Sequence, residues 1–285
     1  MSLTPMPTTP LPTTIDAVIA QLEALIADCE ATRDRIGYFA ALYHKVTVRV
    51  KQGILNNEFE DGARMEKLDV VFANRYLAAV RQLRNNQKIA GSWATAFDSS
   101  RRRQVLVLQH MLLGMNAHIN FDLGIAAVET AGTNDIRTIR NDFNSINTII
   151  GSLIFEVMNE LNRVSPLLSL FGFHATNESI LIQFSISNAR DGAWSFAEDL
   201  HGKLMKPTDY THCITARDAS IQKLGQSLVK PKGLIRITMW IIHLFEWKNP
   251  VRIIKAFYKY EKKYITVSSL TTEKSKKIST SMPGN

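Results

Sequence analysis

Residues Leu108–Val128 read LQHMLLGMNAHINFDLGIAAV, and the fold follows from how this stretch is read. Leu108, Leu112, Met115, Ile119 and Leu123 recur at three- and four-residue steps, the spacing of one helix face. At about 100° per residue, with His110 set at zero, His118 falls near 80° and Asp122 near 120°. Gln109, Asn116 and Asn120 form a second polar line near roughly 260°. No Lys or Arg lies between Gln104 and Val128. A helix apolar on a broad face and free of Lys and Arg over so long a run belongs inside a protein. Its two histidines, two asparagines and aspartate break the uninterrupted apolar run of about 20 residues that a bilayer requires. The spacing predicts a buried central helix over Val105–Val128.

The flanking sequence supplies the helices to bury it. TIDAVIAQLEALIADCEA puts Ile15, Val18, Ile19, Leu22, Leu25 and Ile26 on one stripe behind Thr14, an N-cap residue. Further helices are expected over about Arg33–Leu55, Ala63–Leu83 and Glu178–Lys203, the last with a β-branched start (ESILIQFSIS) that also suits a short strand. Another opens at Asn134 or Asp135 and carries Ile139, Phe143, Ile146, Ile150 and Val157. Nothing is assigned between RNNQ and the basic run Arg101–Arg103. Met205–Ala216 reads as irregular, before shorter helices over Ala219–Leu228, Leu234–Trp247 and Pro250–Tyr260. The expectation is an all-α chain: one multi-helix domain over 15–262, a disordered Pro/Thr tail over 1–14 and a basic, polar, disordered tail over 263–285.

With 45% hydrophobic and 21% charged residues in 285, the chain can bury a substantial core. Cys29 and Cys213 stand alone and form neither a disulfide framework nor a CxxC metal pair. Together with an N-terminus that lacks a signal pattern, they lead to the expectation of a cytoplasmic protein. The net charge of +8 is local, because residues 230–277 carry twelve Lys/Arg against three Glu and leave the rest near neutral. A body without excess positive charge, and without a binding motif, is not expected to bind nucleic acid.

Chemistry concentrates on the central helix. His118 and Asp122 stand at i,i+4, where a carboxylate can orient an imidazole or both can hold one metal. His110, two turns away, is a second base or ligand if Gly114 leaves room beside the helix. His118, Asp122 and His110 are therefore the candidate catalytic residues. With Asp69 and Asp142 they are also candidate ligands for a divalent transition metal, as packed helical bundles provide. Di-iron bundles use two ExxH pairs, and this chain has one, Glu198–His201. Arg75 is a candidate anion anchor, and Tyr76, Asn74, Asn116, Asn120 and Asn147 are candidate substrate contacts. The competing reading is structural, with His118 and Asp122 tied to Arg75 or Arg140 in a satisfied core network. No Walker loop, GxGxxG or GxSxG occurs, so no nucleotide cofactor is expected.

The segments LYHKVT (42–47), FEDGARMEKLDVVFANRYL (59–77), LVLQHMLLGMNAHINFDLGIAA (106–127), DFNSIN (142–147) and ARDGAWSFAEDL (189–200) resemble successive blocks of a bacterial family of uncharacterised helical proteins. It is the domain of unknown function numbered five-nine-nine-five. The resemblance runs from about Tyr38 to Tyr260 and implies one all-helical domain without an assigned activity. It marks Asp69, Asn74, Arg75, Tyr76, His110, Asn116, His118, Asp122, Asp142 and Asn147 as family-typical.

Two functional expectations follow. One is a small-molecule enzyme with a His/Asp-lined interhelical pocket for a largely apolar or amphipathic substrate. The other is a non-catalytic carrier of an apolar ligand or lipid. The aromatic and basic C-terminal run GLIRITMWIIHLFEWKNPVRIIKAFYKYEKKY either lies weakly on an anionic membrane or covers the core with its lysines snorkelling. Neither a reaction nor an oligomeric state is specified.

Overall fold

The computed structural model of the chain describes residues 10–168 and 186–258, and among these there are helices and no strand. The order is α1 (Ile15–Thr32), α2 (Ile36–Leu55), α3 (Gly62–Arg84), α4 (Gly91–Ser100), α5 (Val107–Ala117), a π-helical turn (His118–Asp122), α6 (Leu123–Ala131), a 3₁₀ turn (Ile136–Ile139), α7 (Arg140–Val164), α8 (Ile186–His201), α9 (Pro207–Val229) and α10 (Leu234–Phe245), followed by helix over 250–258. Helices α5 and α6 with the π turn between them are the predicted central helix, shifted to Val107–Ala131. It is long and apolar enough to cross a membrane, yet 89% of its apolar window is buried against the other helices.

Local chemistry explains most boundaries. Thr14 Oγ1 accepts the Ala17 N–H at 3.2 Å, capping α1 as its sequence predicts. Arg33 ends α1 in the left-handed region (φ 59°), so the pattern continues as a separate helix, α2. The two packed helices meet at Gly37, where a Cβ would lie 2.8 Å from the Cys29 side chain.

Three expectations are corrected. First, the unassigned stretch contains α4. Its N-cap residue, Ala90, offers no side-chain acceptor; instead Asp218 of α9 takes the Gly91 and Ser92 N–H groups at 2.7 and 2.9 Å. Second, the segment read as irregular is the start of one long helix, α9. Pro207 occupies its first turn, where a missing N–H costs nothing, and Tyr210, Cys213, Ile214 and Ile221 face the core. Third, residues 10–14 are tied down, because Pro10 and Pro12 carbonyls accept from Gln21 and Asn74. The strand alternative over 178–187 and both distal tails lie mostly or wholly outside the described residues.

Candidate functional site

The central helix departs from α geometry at the residues that carry its chemistry. The Leu123 N–H reaches the His118 carbonyl, an i→i+5 bond that inserts a π turn. Arg217 of α9 donates Nε–H to the Asn120 carbonyl at 2.8 Å, so the bulge is held from outside. Such bulges in α-helices occur often at functional sites.

Within the turn, the His118 ring nitrogen Nδ1 lies 3.2 Å from Asp122 Oδ2. Trp93 Nε1–H donates to the same oxygen at 2.8 Å, and Arg75 Nε–H to Oδ1 at 3.0 Å. Arg75 also reaches Glu129 at 3.3 Å. An ionised carboxylate only accepts, so the proton of the His118–Asp122 bond sits on Nδ1. Nε2 is left with its lone pair, buried and with no hydrogen-bond partner. Burial holds the His118 imidazolium below its ordinary range, with Asp122 pulling the other way; the ring is neutral at neutral pH.

Around His118 stands an aromatic box. Phe72 stacks on it at 3.5 Å with planes 5° apart, and Tyr43 meets it edge-on at 4.5 Å. Phe39, Tyr76 and Trp93 rings complete the surround at 5.9 Å. Phe72 is half-buried while His118 is fully buried, so the Phe72 ring lies on the side of His118 that leads outward. A cleft of about 400 Å³ opens on the other side of Asp122, with Arg75, Trp93, Phe121 and Asp122 on its wall and Leu11, Ala78 and Ala90 among its apolar lining. His118 is one residue deeper than this cleft, behind Asp122.

His110 does not join this group. The space beside Gly114 is filled by the Phe39 ring, which a Cβ at 114 would meet at 2.4 Å. His110 lies instead against Tyr38 at 5.6 Å and lines a cavity of about 20 Å³, room for one water, with Tyr76 and Ser100. Burial and the nearby Arg35 lower its pKa to about 3, against a hydrogen bond that the ring donates to the Val105 carbonyl.

The other candidates scatter for identifiable reasons. Asp142 is engaged at the start of α3, accepting the Glu60 N–H at 2.7 Å and Arg64 Nη2 at 2.5 Å. Asp69 is buried on α3, where desolvation and then Glu66 raise its pKa to about 7. Asn74 holds the N-terminal segment through Pro12 and borders the cleft. Asn116 donates to the Ile221 carbonyl and accepts from Asn120, tying the central helix to α9. Tyr76 packs in the aromatic box, and Asn147 lies on α7 with its Oδ1 buried without a partner. Among the described residues no three His, Cys, Asp or Glu side chains converge as a metal set. The proposed five-residue donor group does not assemble, since Asp142 is committed elsewhere and Phe39 separates His110 from His118.

Residues 15–231 match the model described as "Family of unknown function (DUF5995)". The chain belongs to that family. The DUF5995 match starts 23 residues before the resemblance drawn from the sequence blocks and ends before α10. No curated protein and no solved structure matches the chain significantly.

Three residues of the site were not singled out from the sequence. Trp93 sits on the unassigned α4, where only its i,i+4 spacing to Phe97 hinted at a helix face. Arg217 sits on α9 just past the segment read as irregular and before the helix expected from Ala219. Phe72 lies in the otherwise apolar run LDVVFANRYL, where nothing in its neighbourhood predicts the stack on His118.

Proposed function

We propose that this DUF5995 protein is a small-molecule enzyme in which His118 is the acid–base group and Asp122 its positioning partner. One observation supports this reading: the His118 Nε2 lone pair is buried and unused, while Nδ1 is fixed by a carboxylate that two further donors anchor. A neutral imidazole oriented in this tautomer is the form a general base takes. The substrate is amphipathic and small, its apolar part against Ala78, Ala90 and Phe121 and its polar part toward Arg75. The cleft lies on the Nδ1 side of the imidazole, so the reacting end of the substrate extends past Asp122 and reaches Nε2 when the Phe72 and Tyr43 rings shift. Both cysteines remain free thiols, in keeping with a cytoplasmic setting.

The test is long-range ¹H–¹⁵N correlation NMR on histidine-labelled protein, with Phe72→Ala beside the parent. We expect His118 as the Nδ1–H tautomer from pH 5.5 to 8, and carbethoxylation of His118 at least tenfold faster in Phe72→Ala. A proton on Nε2 ends the general-base reading. The carrier reading is favoured by one feature, an Asp122 whose oxygens already accept three donors. A cleft ligand retained equally by parent and His118→Gln protein would support it.

A further inference from the structure

Helix α10 is apolar on two opposite faces. Ile242 and Met239 turn inward and are buried. Leu234, Ile237, Trp240, Leu244 and Phe245 turn outward and are 53–77% exposed. At about 100° per residue the five outward side chains cover an arc of roughly 140°, with no charged residue inside it. A helix that is apolar on its outer face as well as its inner one lacks the polar stripe of a solvent-facing helix. It accounts for five of the seven exposed large hydrophobic residues among those described.

The rim of this face is cationic. Lys230, Lys232 and Arg236 are exposed at its start, and Lys248 and Arg252 just past its end. The only acidic residue from 230 to 258, Glu246, is buried, with Oε1 accepting the Val107 N–H at 3.0 Å and the Ser165 hydroxyl. That bond seats the end of α10 against the first residue of α5. The exposed run Arg101–Arg103 ends four residues before Val107, within about 14 Å of it by chain length. Further cationic groups therefore stand beside the same end.

We propose that α10 docks this protein on an anionic membrane surface, lying in the plane of the interface with Trp240 and Phe245 among the headgroups. At 12 residues it is about 18 Å long, too short to span a bilayer and long enough to lie on one. An uncharged apolar arc bordered by five or more cations complements a layer of apolar chains under anionic headgroups. A second copy of the chain would bring the same cations against each other across the contact. The family match ends at residue 231, three residues before α10, and the docking proposal is independent of the His118 reading.

The experiment is vesicle co-sedimentation of the full chain, with phosphatidylcholine alone and mixed with phosphatidylserine, beside sedimentation velocity without lipid. We expect binding to the mixed vesicles only, released at high salt, with a blue shift of tryptophan emission that Trp240→Phe abolishes. Lys232→Gln/Arg236→Gln weakens binding about 25-fold, fivefold for each charge. Ile237→Ser/Leu244→Ser abolishes the blue shift without lowering the melting temperature, because both side chains are already exposed. A monomer that ignores anionic vesicles overturns the proposal. So does a dimer that Ile237→Ser/Leu244→Ser dissociates, or binding that is equal on neutral vesicles.

Discussion

At the scale of single residues, Asp122 is the pivot. It is a buried carboxylate with three donors, and each has a different worth. Trp93→Phe keeps the ring and removes one hydrogen bond to a charged acceptor, an expected loss of about 1.5–3 kcal/mol in urea unfolding. Asp122→Asn leaves Arg75 with Glu129 alone and His118 Nδ1 with a weaker acceptor, an expected loss of about 3–5 kcal/mol. If Trp93→Phe cost no more than an ordinary surface change, the Trp93 bond would not be supporting the turn. His118, Asp122 and Arg75 were legible in the sequence, since an i,i+4 polar pair on an otherwise apolar helix needs a partner and an arginine amid apolar residues supplies one. Trp93 was not, because indoles pack in cores far more often than they anchor carboxylates. The separation of His110 was hidden too: the wheel places it on the His118 side but cannot say that a Phe39 ring fills the notch Gly114 leaves.

At the scale of elements, long-range caps decide where helices begin. Asp218 caps α4 from 126 and 127 residues away, and Glu246 caps α5 from 139. Asp142 does the same for the turn before α3. Helix starts marked by a local cap, such as Thr14, could be read from neighbouring residues. Those capped through the tertiary fold could not, which is why α4 went unassigned. The π turn belongs to the same class. Its spare carbonyl, that of Asn120, is taken by Arg217 on α9, so the bulge is a product of helix packing and not of the HINFD string alone. Arg217→Met keeps length and apolar bulk beside Phe196, over whose ring the guanidinium sits at 5.1 Å, but removes the donor. Arg217 also holds the Gly192 carbonyl of α8 at 3.2 Å. We therefore expect a loss of about 1.5–3 kcal/mol and faster hydrogen exchange confined to residues near 116–124 and to α8 beside Gly192. Uniformly faster exchange across all helices would mean that Arg217 supports the fold generally and not the turn.

At the scale of the whole molecule, buried titratable groups set how stability follows pH. Burial, and secondarily Glu66, raises Asp69 to about 7; burial likewise raises Glu246 to about 7, against hydrogen bonds from Ser165 and Val107. Burial lowers His110 to about 3 and His118 below its ordinary value. Between about pH 4.5 and 6.5 the unfolded chain holds protons on both histidines, while the folded chain holds them on the two carboxylates, with His110 bare throughout and His118 bare above its lowered value. The two counts differ by less than one proton, so the slope of stability with pH is smaller than either pair alone would give. Below pH 4.5 the unfolded carboxylates take up protons as well, and stability falls with acid. From about pH 6.5 to 7 only the folded carboxylates still hold protons, and stability falls slightly as pH rises. Asp69→Asn/Glu246→Gln removes one side of this balance and keeps most of the shape. Chemical denaturation of that variant should then show stability rising from pH 4.5 to 6.5, by about 1.4 kcal/mol per pH unit from His110, with His118 adding to the rise above its lowered value. The parent should change less steeply over the same range. A variant as level as the parent would mean that His110 is as easily protonated in the fold as outside it, and would overturn its lowering by burial.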